Sequence, residues 1–100
     1  MKTIFEYTNI SASDRLETQV KDKLDMIEEK FPFVIRADIF FKKTNASNNE
    51  KAHHCGIRLS APGPRIYASS DENNFIDAIN ETIRDLKDQL ERRKEGMKAY

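Results

Sequence analysis

The chain reads as an α+β sandwich of order β-α-β-β-β-α, with two roughly parallel helices packed on one face of a four-stranded mixed sheet. Three observations carry this. Apolar residues alternate at period two in short runs and recur at helical spacing in two longer ones. Pro62-Gly63 punctuates the last two alternating runs as a hairpin turn would. The longer runs fall after the first and the last strand, so each helix returns the chain across the sheet.

Thr3, Phe5 and Tyr7 alternate as the inward face of the first strand. Ser13 is placed to cap a helix over about 14–30, because its hydroxyl can accept from an otherwise unpaired amide of the first turn. Leu16, Val20, Leu24, Ile27 and Phe31 form its apolar stripe, and Pro32 stops it. A second strand over about 34–43 presents Ile35, Ala37, Ile39 and Phe41 to one side and Arg36, Asp38, Phe40 and Lys42 to the other. Residues 44–50 form a polar loop. Third and fourth strands, over about 51–60 and 65–70, turn Ile57, Leu59, Ile66 and Ala68 inward. Ser69, Ser70 and Asp71 offer N-caps for a last helix over about 73–94 or beyond. Phe75, Ile79, Ile83, Leu86 and Leu90 keep helical spacing along it, and Met97 extends the arc. The first crossover makes strands one and two parallel if they are neighbours, and the remaining pairs antiparallel. The expected core joins Phe5, Leu16, Val20, Leu24, Ile35, Ile39, Ile57, Leu59, Ile66, Ile79, Ile83, Leu86 and Leu90.

At 100 residues and 38% hydrophobic content, the chain can bury one modest core, so residues 1–100 are read as a single domain. Lys and Arg number 17, as do Asp and Glu, giving a formal charge of zero. A nucleic-acid site must therefore arise from segregated charge rather than from overall basicity. The lone Cys55 cannot form an internal disulfide and fits a reducing compartment. The opening residues read as a strand rather than a signal peptide, and no apolar run approaches membrane-spanning length, so a cytoplasmic, membrane-free protein is expected.

His53-His54-Cys55 does not read as a metal site, because strand alternation sends His54 opposite to His53 and Cys55. No nucleophile–base pair stands at readable spacing, and three glycines do not make a phosphate-cradling loop. The expectation is a protein without catalysis, cofactor, metal or small-molecule substrate.

Charge is segregated on the helices. At 100° per residue, Arg84, Lys87, Lys94 and Lys98 fall on one flank of the second helix's apolar arc, interrupted by Glu91. Asp77, Glu81, Asp85, Asp88 and Glu95 lie beyond them, joined by Arg92. The first helix carries Arg15, Gln19, Lys23 and Lys30 on the opposite flank of its own arc. On parallel neighbours, opposite flanks face either the groove between the helices or outward. The groove is the favoured reading and makes a basic furrow able to neutralise successive phosphates. Charged flanks also simply solvate a helix. On the open sheet face, Ile4, Phe40 and Tyr67 alternate with Arg36, Arg58 and Arg65, a pattern that suits base stacking, a protein contact or a half-exposed sheet.

The segment from Cys55 to Lys94 carries a glycine-bearing turn, the strand Ile66-Tyr67-Ala68-Ser69, a polar loop, Phe75 to Ile79, and a helix with Leu86 to Leu90 in an L-x-x-Q-L pattern. With Ser13-Asp14-Arg15-Leu16 opening the first helix, it resembles the ribosome hibernation-promoting factor / ribosome-associated inhibitor (HPF/RaiA/YfiA) family, short form. The resemblance spans almost the whole chain and rests on order and spacing rather than one motif. It implies a factor that binds the small ribosomal subunit in the mRNA/tRNA channel, inhibiting translation and preserving idle ribosomes. The implied partners are rRNA and ribosomal proteins, and the protein is expected to be monomeric when free. The rRNA-binding residues are expected to be Arg15, Lys23, Lys30, Arg84, Lys87, Arg92, Arg93, Lys94 and Lys98, of which Arg92, Arg93, Lys94 and Lys98 match the family's basic tail. Ending at Tyr100, the chain is expected to lack the dimerisation domain of long forms. It departs from the family at Asp85 and Asp88, where tight binders are cationic. Binding in the family's pose would make replacement by Lys and Arg strengthening, chiefly at low salt, whereas a stripe rotated to Arg84, Lys87 and Lys94 would let the swap change little; modest strengthening is the expectation. The alternative is a module of the same fold that binds another RNA, or a protein partner through its basic helix flank or open sheet face.

Overall fold

Period-two alternation builds the sheet and period-3.6 spacing builds its cover. The computed structural model describes residues 1–44 and 51–98, with Lys98 described by its backbone alone. The elements are β1 (Lys2–Thr8), α1 (Asp14–Lys30), β2 (Arg36–Lys43), β3 (His53–Ser60), β4 (Ile66–Glu72) and α2 (Phe75–Lys98). The polar loop expected at 44–50 lies, from residue 45 onward, outside the described residues.

The sheet order is β1-β2-β3-β4, with β1 parallel to β2 and the other pairs antiparallel. Because α1 carries the chain back between parallel strands, and α2 follows a strand of the same direction, the helices run the same way. One row across the sheet is Phe5, Ile39, Ile57 and Ala68, and the next is Tyr7, Phe41, Cys55 and Ser70. These rows face the helices. Val20, Leu24 and Ile27 of α1 join Ala78, Ile79, Ile83, Leu86 and Leu90 of α2 in the same core cluster. Each large apolar side chain buried there contributes about 1.5–3 kcal/mol relative to exposure.

The caps are local. Ser13 Oγ accepts from the Leu16 amide at 3.2 Å, as expected. At the other helix Asn74 is the cap, its Oδ1 accepting from the Asp77 amide at 2.8 Å while its Nδ2 donates to Asp77 at 2.9 Å. Ser69, Ser70 and Asp71 are strand residues instead, because pairing with β3 continues to the His53–Glu72 position.

Of the expected core, Ile35 lies at the surface, and Met97 at the end of the expected apolar arc is exposed as well. Ile35 is 66% exposed, while its neighbour Val34 is 2% exposed. After α1 the chain turns tightly, the Val34 amide donating to the Phe31 carbonyl at 3.2 Å, and that turn seats Phe31 and Val34 inside. The Ile35 backbone still bonds to Ser60 and Lys2, but strand alternation begins only after it. Met97 is 39% exposed because α2, with 24 residues and thus ~36 Å long, outruns strands of seven or eight residues at ~3.3 Å each. Phe5 and Leu16 pack against the core while only half-buried, since β1 is an edge strand. Among the described residues no helix is long and apolar enough to cross a membrane.

Candidate nucleic-acid interface

The furrow between the helices starts from two residues at the end of α1. Lys30 is the last residue of that helix, and Phe31 follows it with its ring in the core. Lys30 Nζ reaches Glu91 of α2 at 2.5 Å and also sits 5.4 Å from the Phe31 ring centroid. Lys94, one turn beyond Glu91, places its ammonium 5.7 Å from the same ring. Two cations from different helices thus share one aromatic floor, with a carboxylate between them to relieve their repulsion.

Heptad spacing extends this pairing up the furrow. Lys23 stands two turns before Lys30 and is half-buried; Lys87 stands two turns before Lys94 and is exposed. Residues seven apart share a helix face to within about 20°. Lys23 and Lys30 therefore line one wall and Lys87 and Lys94 the other. The walls are held in place at the opposite end of α1. There the Tyr7 hydroxyl donates to Glu17 at 2.7 Å, tying the end of β1 to the first turn of the helix. Burial, then the bond to Glu17, raises the Tyr7 pKa above its ordinary value, so the phenol stays protonated as a donor.

The other expected site residues lie elsewhere. Arg15 is exposed in the first turn of α1, ~22 Å along the helix from Lys30. Arg84 is exposed and pairs with Glu81 at 3.2 Å, on the solvent side of the lysine row. Arg92 points to a different flank, where it lines a shallow groove with Gly63, Asp85, Gln89 and Met97. Lys98 ends α2, and its side chain is outside the described residues.

Arg93 serves the hairpin. Its Nη1 and Nη2 donate to the carbonyls of Pro62 and Pro64, both at 2.7 Å, gripping the turn on either side of Gly63. Gly63 has φ +95°, a backbone conformation that favours glycine, and a Cβ there would lie 3.1 Å from Arg93 Nη1, so a side chain would also push against the guanidinium. Beside it, Gln89 Nε2 donates to the Tyr67 carbonyl on edge strand β4 at 2.9 Å and to Asp85 at 3.0 Å. This flank of α2 fastens the helix to the sheet edge and faces away from α1.

The histidine pair diverges with the strand pleat. His53 lies edge-on to Phe75 with ring centroids 4.8 Å apart, whereas His54 Nδ1 lies 2.9 Å from Asp71 Oδ1. Next in the chain, Cys55 is fully buried, and burial pushes its thiol up to about 12. Thr82, equally buried, donates to the Cys55 carbonyl at 3.1 Å and ties α2 to the middle of the sheet.

Glu91 as a bridge and Phe31 as a furrow floor were not expected from the sequence. A signal existed for both: Glu91 lies on the lysine flank, and Phe31 follows the last lysine of the opposing wall.

This arrangement sits on a fold already seen in solved structures. A ribosomal subunit interface protein from Coxiella burnetii superposes with a TM-score of 0.81 at 17% identity, covering 95% of this chain and 99% of that one. The N-terminal domain of Thermus thermophilus Protein Y superposes with a TM-score of 0.76 at 16% identity, covering 92% and 98% respectively. At such identities the likeness establishes the fold alone. No curated protein matches the chain. Residues 3–98 do match the sigma 54 modulation protein / S30EA ribosomal protein family as a whole, and the chain belongs to that family, the hibernation-factor family its motifs resemble.

Proposed function

We propose that the protein binds the small ribosomal subunit in the mRNA/tRNA channel, inhibits translation there and preserves idle ribosomes. The observation that carries this reading is the furrow, in which Lys30 and Lys94 converge on Phe31 from two parallel helices. Membership of the S30EA family supports it, as does the fold shared with a ribosomal subunit interface protein.

The mechanism is occlusion. A strip of lysines over a rigid sheet answers successive phosphates of folded rRNA through charge and shape, without reading bases. Lys23, Lys30, Lys87 and Lys94 make the primary contacts, with Arg15, Arg84 and the C-terminal Arg92 and Lys98 at the margins. Arg93 contributes by holding the hairpin. Occupying the channel excludes mRNA and tRNA, so no bond is made or broken and no cofactor is needed. Residues 1–100 act as one domain, monomeric when free.

Co-sedimentation with purified small and large subunits across a salt series tests this. Binding confined to small subunits and falling steeply with salt is expected. Equal pelleting with large subunits, or salt-insensitive pelleting, would refute the reading. An mRNA-programmed translation reaction supplies the second arm, where added protein is expected to lower the yield.

A further inference from the structure

The sheet face turned away from the helices carries a row of its own. Arg58 of β3 is the direct register partner of Tyr67 on β4, and its guanidinium carbon lies 5.5 Å from the Phe40 ring centroid on β2. Gly56, the register partner of Phe40, leaves a gap beside that row. A Cβ at Gly56 would fall 2.6 Å from the Tyr67 hydroxyl and 3.3 Å from the ring carbon bearing it. The absent side chain is what lets Tyr67 lean across β3. Tyr67 is nevertheless 49% exposed, an aromatic surface that the fold does not cover.

The charges around these rings are fixed in place. Asp38 is 6% exposed and accepts from Arg36 Nη2 at 2.9 Å and Arg36 Nε at 3.2 Å, while Arg58 Nη2 lies 3.6 Å away. The hydrogen bond from Arg36, with the charges of both arginines, holds the Asp38 carboxyl below the usual carboxylate range. Its negative charge is absorbed by two guanidinium groups that it orients. Asp71 on the same face is bonded to His54, and Glu6 lies opposite Phe40. Lys2 and Lys42 share this face by strand alternation, and exposed Arg65 enters β4 beside it.

We propose that this face binds single-stranded RNA, with bases stacking on Phe40 and Tyr67, Arg58 between them, and phosphates answered by Arg36, Arg65 and Lys2. Flat rings on a rigid sheet, flanked by oriented cations, suit unstacked bases on a polyanion. An acidic peptide would answer the cations, but its carboxylate side chains carry no aromatic rings to stack on Phe40 and Tyr67. A second copy would set the same cations against themselves. The face lies on the opposite side of the sheet from the lysine furrow, so the inference stands independently of the proposed small-subunit reading.

The test is fluorescence anisotropy of a short fluorescein-labelled oligouridylate titrated with the intact protein at low salt. Phe40→Leu and Tyr67→Ala are each expected to weaken binding about ten-fold, as loss of one stacking platform does. Tyr67→Phe keeps the ring and is expected to bind like the unaltered protein. In a Lys87→Ala, Lys94→Ala background, which removes charge from the other side, Tyr67→Ala is still expected to weaken binding about ten-fold. Arg65→Glu, at an exposed position outside the strand, is expected to weaken binding and guards against a ring variant that fails to fold. Absence of binding by the unaltered protein would overturn the proposal, as would binding that ignores the rings and Arg65 but is lost in the double lysine variant. Tighter binding of poly-L-glutamate than of the oligouridylate, sensitive to Tyr67, would overturn it by assigning the face to an acidic protein. A sedimenting dimer abolished by Tyr67→Ala would overturn it by assigning the face to a second copy.

Discussion

Lys94 on α2 holds its ammonium 5.7 Å from the ring centroid of Phe31, the residue that follows α1. Lys30 approaches the same ring to 5.4 Å and closes the gap to α2 through Glu91. Contacts of this kind are worth ~0.5–1 kcal/mol each at exposed sites, too little to decide stability. Their consequence is positional: flexible lysines are held along a line where a phosphate backbone can meet them without further ordering cost.

The first prediction concerns those lysines. Lys87→Ala with Lys94→Ala removes charge from one furrow wall at positions that are exposed or half-buried, so the fold should persist. Small-subunit binding is expected to weaken, and the slope of log affinity against log salt to flatten by about one for each phosphate that is no longer neutralised. Co-sedimentation of the double variant at several salt concentrations checks both. An unchanged slope would move the site out of the furrow.

Arg93 is expected to behave differently, although it stands beside Lys94 in the chain. Its two bonds hold the Pro62-Gly63-Pro64 turn, so Arg93→Ala should lower unfolding free energy by about 1.5–3 kcal/mol, the range for hydrogen bonds to a charged group. Ribosome affinity at temperatures well below the melt should be unaffected. A denaturant titration and co-sedimentation, run on the same variant, separate these effects. The opposite result, intact stability with no binding, would place Arg93 at the RNA.

The architecture was legible because it follows from periodicities that the sequence displays openly. Ala37, Ile39 and Phe41 face inward as alternation requires, and Ser13 caps α1 as its chemistry allows. Ile35 was not legible, since the turn that buries Val34 depends on how Phe31 seats in the core and leaves no mark on the two-residue pattern. Asn74 displaced the expected caps because strand pairing, a tertiary effect, outlasted local signals at Ser69 to Asp71. Charge on a helical wheel put Lys30 and Lys94 on the flanks that meet at Phe31. It did not separate Arg93 from Lys94 by role, because the turn that engages Arg93 lies far away in sequence.

Acid stability should carry the signature of Asp38. Its folded pKa lies below the ordinary value, first through the bond from Arg36, so the native state binds fewer protons than the unfolded chain between the two values. Stability from this group is therefore present above the unfolded value of about 4 and is lost as pH falls through the lower folded value. Melting temperature should drop as pH is lowered through that window. Asp38→Asn should make that part of the profile shallower. A profile identical in shape for the two proteins would mean that other carboxylates govern the acid limb.

Cys55 should report unfolding rather than surface chemistry. The thiol is enclosed, with its pKa at about 12, so almost no thiolate exists near neutrality and none is accessible. Labelling by a disulfide reagent at pH ~8 is expected only through global opening, at a rate that rises with denaturant. Thr82→Val, which removes the donor to the Cys55 carbonyl, should accelerate labelling by loosening α2 on the sheet. Immediate stoichiometric labelling of the native protein would contradict the packing of β3 against α2.

The last prediction concerns Asp85 and Asp88, the acidic residues of α2 nearest the lysine wall in sequence. Asp85 accepts a hydrogen bond from Gln89, on the flank of α2 that meets β4. Asp88 is exposed, one position beyond Lys87 and so about 100° around the helix from it. Neither belongs to the wall formed by Lys87 and Lys94. Screening at physiological salt limits their reach to about 8 Å, which blunts any repulsion of RNA seated between the helices. Asp85→Lys with Asp88→Arg is therefore expected to leave small-subunit affinity nearly unchanged at physiological salt, with at most a small gain at low salt. Parallel co-sedimentation at both ionic strengths checks this. A large gain at physiological salt would mean that the RNA lies across the aspartate flank. A clear loss would mean that the aspartates themselves meet a basic ribosomal protein.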